Sequence, residues 1–496
     1  MRSRDRLIAG VFWSVIVNIT NAIYGFIAVP ILISYYGKDN YGLIALATSI
    51  NGYMTLLDMG LSSTNVRFFS NWLANEDTKK VNNLFQTCTA FYFFIGIINA
   101  ILLFIVYLFA DSIFNLDANQ VVVIKHMLLV LLMIAIINWY TSCYNQLISA
   151  MENVAWVQKR TLLAKLLMIC VLISTIKLKL GIVSFFFLIQ VIPIILLPLT
   201  INKILKDAPY VSFWPRVDIP TLKEILPYTL NIFSFGIFQF SFYNLRPIFL
   251  GMQGSPSDIT EYQIMNSMTG IVVSLSSVFL SALLPASSRI VSSKDEKNYN
   301  RIAYQGTKFI TICLCFTSLG MLTISSDLLS IYVGDSFSHI IPWLNLWLLL
   351  LLGNHNQCIS SLILAGSDVK AISRVSIISS CLGLMSCWFT ISHYGAGGCV
   401  IGLLVYTAIQ ILFYWIYYWP KKMQINSRKV VFHSFLPFVL AAYLLSIVLR
   451  YIPHSENHWF NIFLFGSIFV IIYAVFCWGI LIKDDKNFIL DIIKKI

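Results

Sequence analysis

Charged residues are scarce in this 496-residue chain: Asp, Glu, Lys and Arg make up 11% of it, whereas 58% of the residues are hydrophobic. The few charges fall between stretches of about twenty apolar residues, the length of helix that crosses a hydrocarbon core about 30 Å thick. A soluble fold could not bury this much apolar surface, so the composition excludes a globular protein in water. We predict an all-α polytopic membrane protein with almost no mass outside the bilayer.

Groupings of residues that carry enzyme chemistry are missing as well. We find no Ser/His/Asp set, no paired carboxylates and no glycine-rich phosphate loop, and neither the ten cysteines nor the seven histidines have metal-ligand spacing. All ten cysteines lie in or beside apolar stretches, where we expect them to act as small core residues. We therefore predict a protein that is not an enzyme, with no metal site and no cofactor.

Hydropathy divides the chain into about fourteen predicted membrane spans, each joined to the next by a short loop. The spans cover residues 9–34, 41–62, 84–110, 123–148, 161–178, 182–201, 224–250, 262–286, 306–326, 340–364, 372–393, 397–419, 431–450 and 460–482.

The basic residues predict how these spans are oriented, because Lys and Arg concentrate in cytoplasmic loops. If the N-terminus is cytoplasmic, nearly all of the 34 basic residues fall on the cytoplasmic side, and this alternation continues through all fourteen spans. We therefore predict that both termini are cytoplasmic. The net charge of +12 is then a signal of topology and of contact with lipid headgroups, and it gives no reason to expect a nucleic-acid partner. The exceptions are Lys38, Lys125, Lys177, Lys179, Arg246 and Arg450.

Several landmarks recur at an offset of about 216 residues, which indicates an internal duplication. Pro30 matches Pro247, Asp111 matches Asp327, and the segment that begins at Cys143 resembles the one that begins at Cys358. Because each half has six spans, the halves enter the membrane in the same orientation, and the repeat is parallel. We predict the following division: an N-lobe of spans 1–6 at 1–202, a cytoplasmic linker at 203–223, a C-lobe of spans 7–12 at 224–419, and two extra helices with a tail at 420–496.

Together these features resemble the polysaccharide translocase family, the O-antigen unit flippases of the multidrug/oligosaccharidyl-lipid/polysaccharide exporter superfamily. The closest local similarity is the segment from Leu57 to Ser62, followed by Arg67, at the end of span 2; Leu284–Arg289 and Leu364–Gly366 are similar to further family landmarks. The resemblance implies two six-helix lobes around a central cavity that opens to one side of the membrane at a time. It also implies a location in the bacterial inner membrane.

The resemblance implies a flippase that moves an undecaprenyl-diphosphate-linked oligosaccharide from the cytoplasmic to the periplasmic leaflet. Other polysaccharide-assembly proteins are further candidate partners, beside the lipid bilayer. An ion-coupled multidrug or metabolite extruder of the same superfamily is the alternative, although such extruders usually have twelve spans and a carboxylate in span 1, and no Asp or Glu lies between Ile8 and Ser34. A polysaccharide polymerase or ligase is a weaker alternative, since the predicted outside loops are short.

Span 7 carries the most informative polar residues. Arg246 lies near its outer end, and a charge inside a span is costly unless it faces water or a partner. Asn231, Gln239 and Tyr243 precede it at helical spacing, which predicts a polar and aromatic stripe that faces a cavity. In that case Arg246 would offer two parallel hydrogen bonds to a phosphate. The other interpretation is that Arg246 reaches the outer headgroups.

Other polar residues inside the spans permit two interpretations each. Candidate sugar ligands in the cavity are Asn18, Asn21, Asn354 and His355, whose polar groups would otherwise hold helices together. Asp58, just ahead of Gly60, would cap a helix or take part in ion coupling. Further structural or coupling candidates are Arg67, Arg289 and Glu261.

Overall fold

The computed structural model describes residues 3–58, 60–293, 296–365, 369–482 and 485–486. Within these ranges almost every residue is helical and none belongs to a β-strand, which confirms the prediction of an all-α fold. The chain divides into two compact units, Met1–Thr260 and Glu261–Ile496.

The first unit contains eleven helices and the beginning of a twelfth among its described residues. They are α1 (Ser3–Tyr36), α2 (Lys38–Met54), α3 (Leu61–Ala74), α4 (Thr78–Leu108), α5 (Ala110–Ile113), α6 (Ala118–Tyr140), α7 (Ser142–Ala150), α8 (Val154–Leu178), α9 (Ile182–Ile195), α10 (Leu197–Asp207), α11 (Ile219–Gln253) and α12 (Pro256–Ser293). A 3₁₀ turn, Thr55–Asp58, follows α2. Helix α1 packs on α8, and α4 packs on α6.

The second unit continues α12 and adds shorter helices, several of which are joined end to end by π-helical or 3₁₀ turns. They are α13 (Glu296–Arg301), α14 (Thr307–Leu314), α15 (Gly320–Thr323), α16 (Ser325–Val333), α17 (Ile341–Leu351), α18 (Gln357–Ala365), α19 (Val369–Tyr394), α20 (Ala396–Leu412), α21 (Trp419–Lys422), α22 (Ser427–Lys429), α23 (Leu436–Tyr451) and α24 (His458–Ile480). The π-helical turns are Ile302–Gly306, Cys315–Leu319, Phe413–Tyr418 and Val430–Phe435, and the 3₁₀ turns are Asp335–Ile340 and Leu352–Asn356.

Eleven stretches of helix in the described residues are long and apolar enough to cross a membrane. The remaining predicted spans, 41–62, 224–250 and 262–286, overlap α2, α11 and α12, so the count of fourteen stays a prediction. The eleven stretches are Phe12–Tyr36, Thr78–Leu108, Ala118–Ala150, Val154–Leu178, Ile182–Asp207, Tyr299–Thr323, Asp335–Ile363, Ile372–Tyr394, Ala396–Lys422, Ser427–Tyr451 and His458–Ile480.

The segment predicted as a linker, 203–223, is partly helical in the structure. Its first residues belong to α10 and its last to α11, so the non-helical part is 208–218. This part is held firmly against α4 and α6, because Ser212 N donates to Asn82 Oδ1 at 2.7 Å and Tyr140 Oη donates to the Phe213 carbonyl at 2.7 Å. Helix α11, predicted to open the C-lobe, packs against α2 within the first unit. The predicted lobe boundaries stay a prediction.

A polar face and a helix break shape the middle of the first unit. Helix α6 ends at Tyr140 and α7 begins at Ser142, so one predicted span consists of two helices. The Thr141 hydroxyl donates to the Ile137 carbonyl at 3.0 Å, and the Ser142 hydroxyl donates to the Asn138 carbonyl at 3.1 Å. Such back-bonding by hydroxyl side chains bends helices. Polar residues lie on both sides of this break, at Asn138, Asn145 and Gln146.

Candidate functional site

A cavity of about 1040 Å³ lies inside the first unit, and helices from most of that unit contribute to its wall. Positions spaced by three and four residues place one face of each helix toward it. Asn51, Thr55, Asp58 and Ser62 follow this spacing from α2 through the 3₁₀ turn into α3. The break between α6 and α7 and the middle of α11 supply the facing walls. The contributions of α6, α7 and α11, together with Thr141 at the break, are Leu131, Ile134, Ala135, Asn138, Trp139, Thr141, Ser142, Asn145, Gln146, Phe233, Ile237, Gln239, Phe240, Tyr243 and Asn244.

Carboxamides dominate the polar lining of the cavity, and two of them carry acceptor oxygens that no described residue satisfies. Asn99 is only 1% exposed, and its Oδ1 accepts no hydrogen bond from the described part of the chain. The Oδ1 atom of Asn145 is in the same state. A buried unsatisfied acceptor costs about 1–3 kcal/mol, so both oxygen atoms would gain from any hydrogen-bond donor that reached them. The lining carboxamides are Asn51, Asn99, Asn138, Asn145, Gln146, Gln239 and Asn244.

Aromatic side chains form the apolar part of the wall. Trp139, Phe233, Phe240 and Tyr243 all line the cavity. The Trp139 ring is held in place by stacking on Tyr92, with ring centroids 6.0 Å apart. Flat aromatic faces beside hydrogen-bonding amides suit a ligand that has both apolar C–H faces and many hydroxyl groups, as sugars do.

Asp58 is the carboxylate of this wall, and a hydrogen-bonded network holds it. Its Oδ2 accepts from the backbone N–H of Ser62 at 3.2 Å, and its Oδ1 accepts from Tyr92 Oη at 2.5 Å. Gln146 Nε2 donates to Tyr92 Oη at 2.9 Å and to the Ser62 hydroxyl at 3.0 Å, and Gln146 Oε1 accepts from Asn65 Nδ2 at 2.8 Å. The network joins α3, α4 and α7, and it fixes Asp58 both as a helix cap and as part of the cavity surface.

Arg160 also lines the cavity, although the sequence places it in a cytoplasmic loop. Helix α8 begins at Val154, seven residues before the predicted span, and therefore carries Arg160 on its second turn. One terminal nitrogen of its guanidinium group donates to the carbonyl of Pro193 at 3.1 Å, while Nε has no partner in the described residues. Pro193 lies near the break between α9 and α10. This hydrogen bond therefore joins α8 to the end of α9 near the break.

The structure brings three of the predicted site residues to this cavity, namely Asp58, Gln239 and Tyr243. Arg246 is not among the lining residues: its side chain is 1% exposed, and its guanidinium carbon lies 4.9 Å from the Phe242 ring centroid and 5.2 Å from that of Tyr243. Both interpretations of Arg246, phosphate binding and contact with the outer headgroups, stay predictions. The side chains of two further candidates, Asn231 and Arg289, lie outside the described residues.

The other predicted residues lie elsewhere. Asn18 is exposed and Asn21 half-buried on α1, away from the cavity lining. The guanidinium carbon of Arg67 lies 4.1 Å from the ring centroid of Tyr228 on α11.

Three candidates belong to the second unit, which has its own polar contacts. His355 is fully buried, and its Nδ1 lies 2.9 Å from the Leu352 carbonyl. Asn354 precedes it, half-buried, in the same 3₁₀ turn. The Glu261 carboxylate lies 2.8 Å from Nε2 of His339. These residues are therefore not part of the cavity in the first unit.

Sequence reasoning missed most of the cavity, including Asn51, Asn99, Asn138 and Asn145. The available signal is that an amide inside an apolar span is rare and expensive, which makes it a candidate functional residue. This rule applies equally to the amides of α1, which do not reach the cavity. Only the packing of several helices distinguishes the two sets.

Comparison with known proteins identifies a family that matches this chain. A family model described as "Polysaccharide biosynthesis protein" matches residues 7–291, more than half of the chain. No curated protein matches the chain.

Among solved structures, the lipid II flippase MurJ in an inward closed conformation is similar with a TM-score of 0.70 and 14% identity, over 94% of this chain and 98% of MurJ. An inward-facing multidrug resistance MATE family transporter of the MOP superfamily has a TM-score of 0.60 and 16% identity, over 80% of this chain and 96% of the transporter. The eukaryotic MATE transporter AtDTX14 has a TM-score of 0.57 and 12% identity, over 94% of this chain and 99% of the transporter. These similarities show a shared fold, and the resemblance seen in the sequence is confirmed. The chain belongs to the polysaccharide biosynthesis protein family and has the fold of the MOP superfamily transporters.

Proposed function

We propose that the chain is a flippase that moves an undecaprenyl-diphosphate-linked oligosaccharide from the cytoplasmic to the periplasmic leaflet by alternating access. Family membership and the MurJ-like fold support this function. The observation that carries it is the cavity, whose amides and aromatic faces suit a hydroxyl-rich ligand. The carboxamides that line the cavity can both donate to and accept from sugar hydroxyl groups. In this proposal the protein lies in the bacterial inner membrane with both termini in the cytoplasm.

Translocation by the purified full-length chain tests this proposal directly. Proteoliposomes would contain a short undecaprenyl-diphosphate oligosaccharide with a fluorescent sugar label, and an impermeant quencher would report the leaflet that holds the label. We expect the label to exchange between leaflets faster than in protein-free liposomes. Exchange at the protein-free rate, from protein that is folded and inserted, would contradict the proposal.

An ion-coupled extruder of drugs or metabolites is the second candidate, because MATE transporters share the fold and the cavity wall includes the carboxylate of Asp58. The two functions predict different phenotypes. An extruder would lower the accumulation of an organic cation such as ethidium in cells that express it, whereas a flippase would restore surface polysaccharide to a flippase-deficient strain. Ethidium efflux that disappears in Asp58→Asn, without any polysaccharide phenotype, would favour the extruder.

A further inference from the structure

Three lysines that break the alternation of basic loops lie at one corner of the first unit, formed by residues 35–38 and 177–180 and called here the α1–α8 corner. Lys38 is the first residue of α2, and Lys177 and Lys179 lie at the end of α8. The Tyr36 hydroxyl donates to the Leu180 carbonyl at 3.0 Å and joins the two segments. In the predicted topology this corner is on the outer side. Lysine resists transfer across the membrane during insertion, so three lysines here indicate a function that offsets this cost.

Lys179 has a backbone conformation that favours a different residue. It follows the last residue of α8 with φ 53° and ψ 45°, the left-handed region in which many helices end on glycine. A residue with a Cβ atom is strained in this region, whereas glycine is not. The position therefore favours glycine on structural grounds, and the lysine side chain supplies a charge that glycine cannot.

The positive charge of the α1–α8 corner is not neutralised by its surroundings. All three lysines are exposed, and none of them forms an ion pair with a described residue. Asp39 is the one acidic residue in the segments 34–41 and 174–183, which are therefore net positive. Asp258, at the start of α12, already accepts from the backbone N–H and the hydroxyl of Ser255, each at 2.7 Å. An exposed surface of this charge attracts anions.

Two membrane-crossing stretches, Phe12–Tyr36 and Val154–Leu178, end at the corner and indicate its depth. Each has 25 residues, which extend about 37 Å at about 1.5 Å per residue, more than the hydrocarbon core of about 30 Å. Their ends therefore reach the headgroup layer. Tyr35 and Tyr36, with ring centroids 4.8 Å apart, are typical of that layer. Exposed apolar side chains in the last three turns of α1 and α8 are Ile27, Ile173 and Ile176.

We propose that the α1–α8 corner binds the headgroup of an anionic phospholipid in the outer leaflet. The ammonium groups contact the phosphate, and the exposed apolar side chains of α1 and α8 contact the acyl chains. A phospholipid fits better than a soluble anion, because positive charge and apolar surface lie side by side at headgroup depth. This site is separate from the cavity and does not depend on the proposed function.

A phosphatidylglycerol analogue with a photoreactive headgroup tests the site on the full-length protein in nanodiscs. Mass spectrometry of the cross-linked protein identifies the labelled residues, and labelling as a function of analogue content gives an apparent affinity for this corner alone. We expect residues 35–39 and 176–182 to be labelled by this analogue and much less by the matching phosphatidylcholine analogue. Lys177→Gln and Lys179→Gly should each lower the apparent affinity about fivefold.

Lys179→Gly also separates lipid binding from a structural role. Glycine relieves the left-handed strain, so in nanodiscs of phosphatidylcholine alone this variant should melt at a higher temperature than the wild type. Addition of phosphatidylglycerol should raise the melting temperature of the wild type more than that of the variant. Lys125→Gln is the matched control: it removes a lysine predicted on the same side, which pairs with Asp111 at 3.5 Å, and should leave labelling of the corner unchanged.

Four outcomes would overturn the proposal. Equal labelling of the corner by the two analogues would exclude selection for an anionic headgroup, and an equal loss in Lys125→Gln would show that only the overall charge matters. Loss of labelling on addition of inorganic phosphate would assign the corner to a soluble anion. A Lys179→Gly variant that melts below the wild type in both lipids would assign Lys179 a structural role. None of these measurements requires translocation, so failure of the proposed function would be distinguished from failure of this site.

Discussion

Arg246 and Arg160 are both arginines inside helices of the first unit, but their surroundings differ. Arg246 is 1% exposed and lies against the rings of Phe242 and Tyr243 on its own helix, whereas Arg160 lines the cavity. A buried guanidinium over aromatic faces gains from cation–π attraction. We therefore expect Arg246 to contribute mainly to the stability of α11 and its neighbours. The original prediction that Arg246 binds phosphate stays testable.

Substitution of Arg246 separates these roles. Arg246→Lys keeps the charge and loses the planar stacking on two rings, which should lower the free energy of unfolding by about 0.5–2 kcal/mol. Thermal denaturation in detergent measures this loss. If Arg246 acts only in stability, Arg246→Ala should be less abundant but should restore polysaccharide export in proportion to its abundance. Export far below that proportion would indicate that Arg246 also binds the substrate.

Asn99 gives the residue-scale prediction for the cavity. Asn99→Leu keeps the approximate side-chain volume and removes both the donor and the acceptor, so the ligand loses about 1 kcal/mol or more of hydrogen bonding. We expect export in a flippase-deficient strain to fall about fivefold or more at equal protein abundance. Asn75→Ala removes an exposed amide beyond the end of α3 and serves as the control. Normal export by Asn99→Leu would show that this amide does not contact the substrate.

At the scale of the helix, two spans are interrupted at equivalent positions of the predicted repeat. The break at Thr141 separates α6 from α7, and the 3₁₀ turn Leu352–Asn356 separates α17 from α18. The two breaks are about 215 residues apart, the offset that the sequence landmarks show. Each break places polar residues within an apolar segment, which membrane helices tolerate when protein or a water-filled cavity satisfies the freed groups. The shared break supports duplication from local structure, independently of the sequence matches.

Gly42 lies where α2 and the start of α12 approach each other closely. A Cβ atom at this position would lie 2.0 Å from the carbonyl oxygen of Pro256, a backbone atom that cannot move aside. We expect Gly42→Ala to force these segments apart and to lower the melting temperature by several degrees, with reduced abundance. Gly25→Ala, on α1 with open space around its Cβ, should have little effect. Equal melting temperatures of the two variants would show that α2 does not approach Pro256 so closely.

Asp327 joins α16 to α24 and to the loop before it. Its carboxylate is buried and bonds Nδ1 of His454 at 2.7 Å, Nδ1 of His458 at 2.8 Å and Nδ2 of Asn461 at 2.7 Å. Burial alone would raise the pKa of Asp327, but the hydrogen bonds from Asn461, His458 and His454 outweigh it, and the pKa lies below the ordinary value. A lowered carboxyl pKa stabilises the fold above the unfolded-state pKa, and this stabilisation disappears as the pH falls through the folded-state pKa.

Thermal stability as a function of pH tests this cluster. Asp327→Asn keeps the shape of the side chain but loses the negative charge, so the wild type should be more stable by about 1–3 kcal/mol near neutral pH. The difference should persist down to about pH 4 and shrink below it. His393→Asn changes a histidine on α19 that lies outside this cluster, and it should show no comparable difference. A difference that disappears well above pH 4 would mean that protonation of Asp327 does not control this stabilisation.

At the scale of the whole molecule, the alternation of basic loops predicts which side of the membrane each loop lies on, and the positions of the helices alone do not test this. We expect reporter fusions at Asp117, Asp258 and Glu456 to lie outside, and fusions at Lys80, Lys297 and Lys421 to lie in the cytoplasm. The reason is that Lys and Arg resist transfer across the membrane during insertion. Paired alkaline phosphatase and green fluorescent protein fusions measure both states. A reversed reporter in the middle of the chain would break the alternation and the parallel repeat with it.

The sequence by itself determined the class of molecule, because a run of about twenty apolar residues is a local property that needs no packing information. The sequence also indicated the family, because landmarks such as Asp58–Gly60 are short motifs that can be recognised without a structure. Stripe positions on a single helix, such as Gln239 and Tyr243, were likewise predictable, since helical periodicity places them on one face.

Only the tertiary structure decided which polar residues share a cavity. Asn51, Asn99 and Asn145 are far apart in the chain and come from α2, α4 and α7, so no periodicity connects them. The sequence predicts Arg160 in a loop, but the structure places it on α8 in the cavity wall, because α8 begins at Val154, before the apolar part of the helix. Hydropathy missed helix α3 because its sequence is mixed: Leu61, Phe69 and Trp72 are buried against the protein, whereas the helix as a whole is too polar to be predicted as a span. Hydropathy reports the preference of a segment for lipid, whereas the meeting of side chains depends on how the helices pack and where they break.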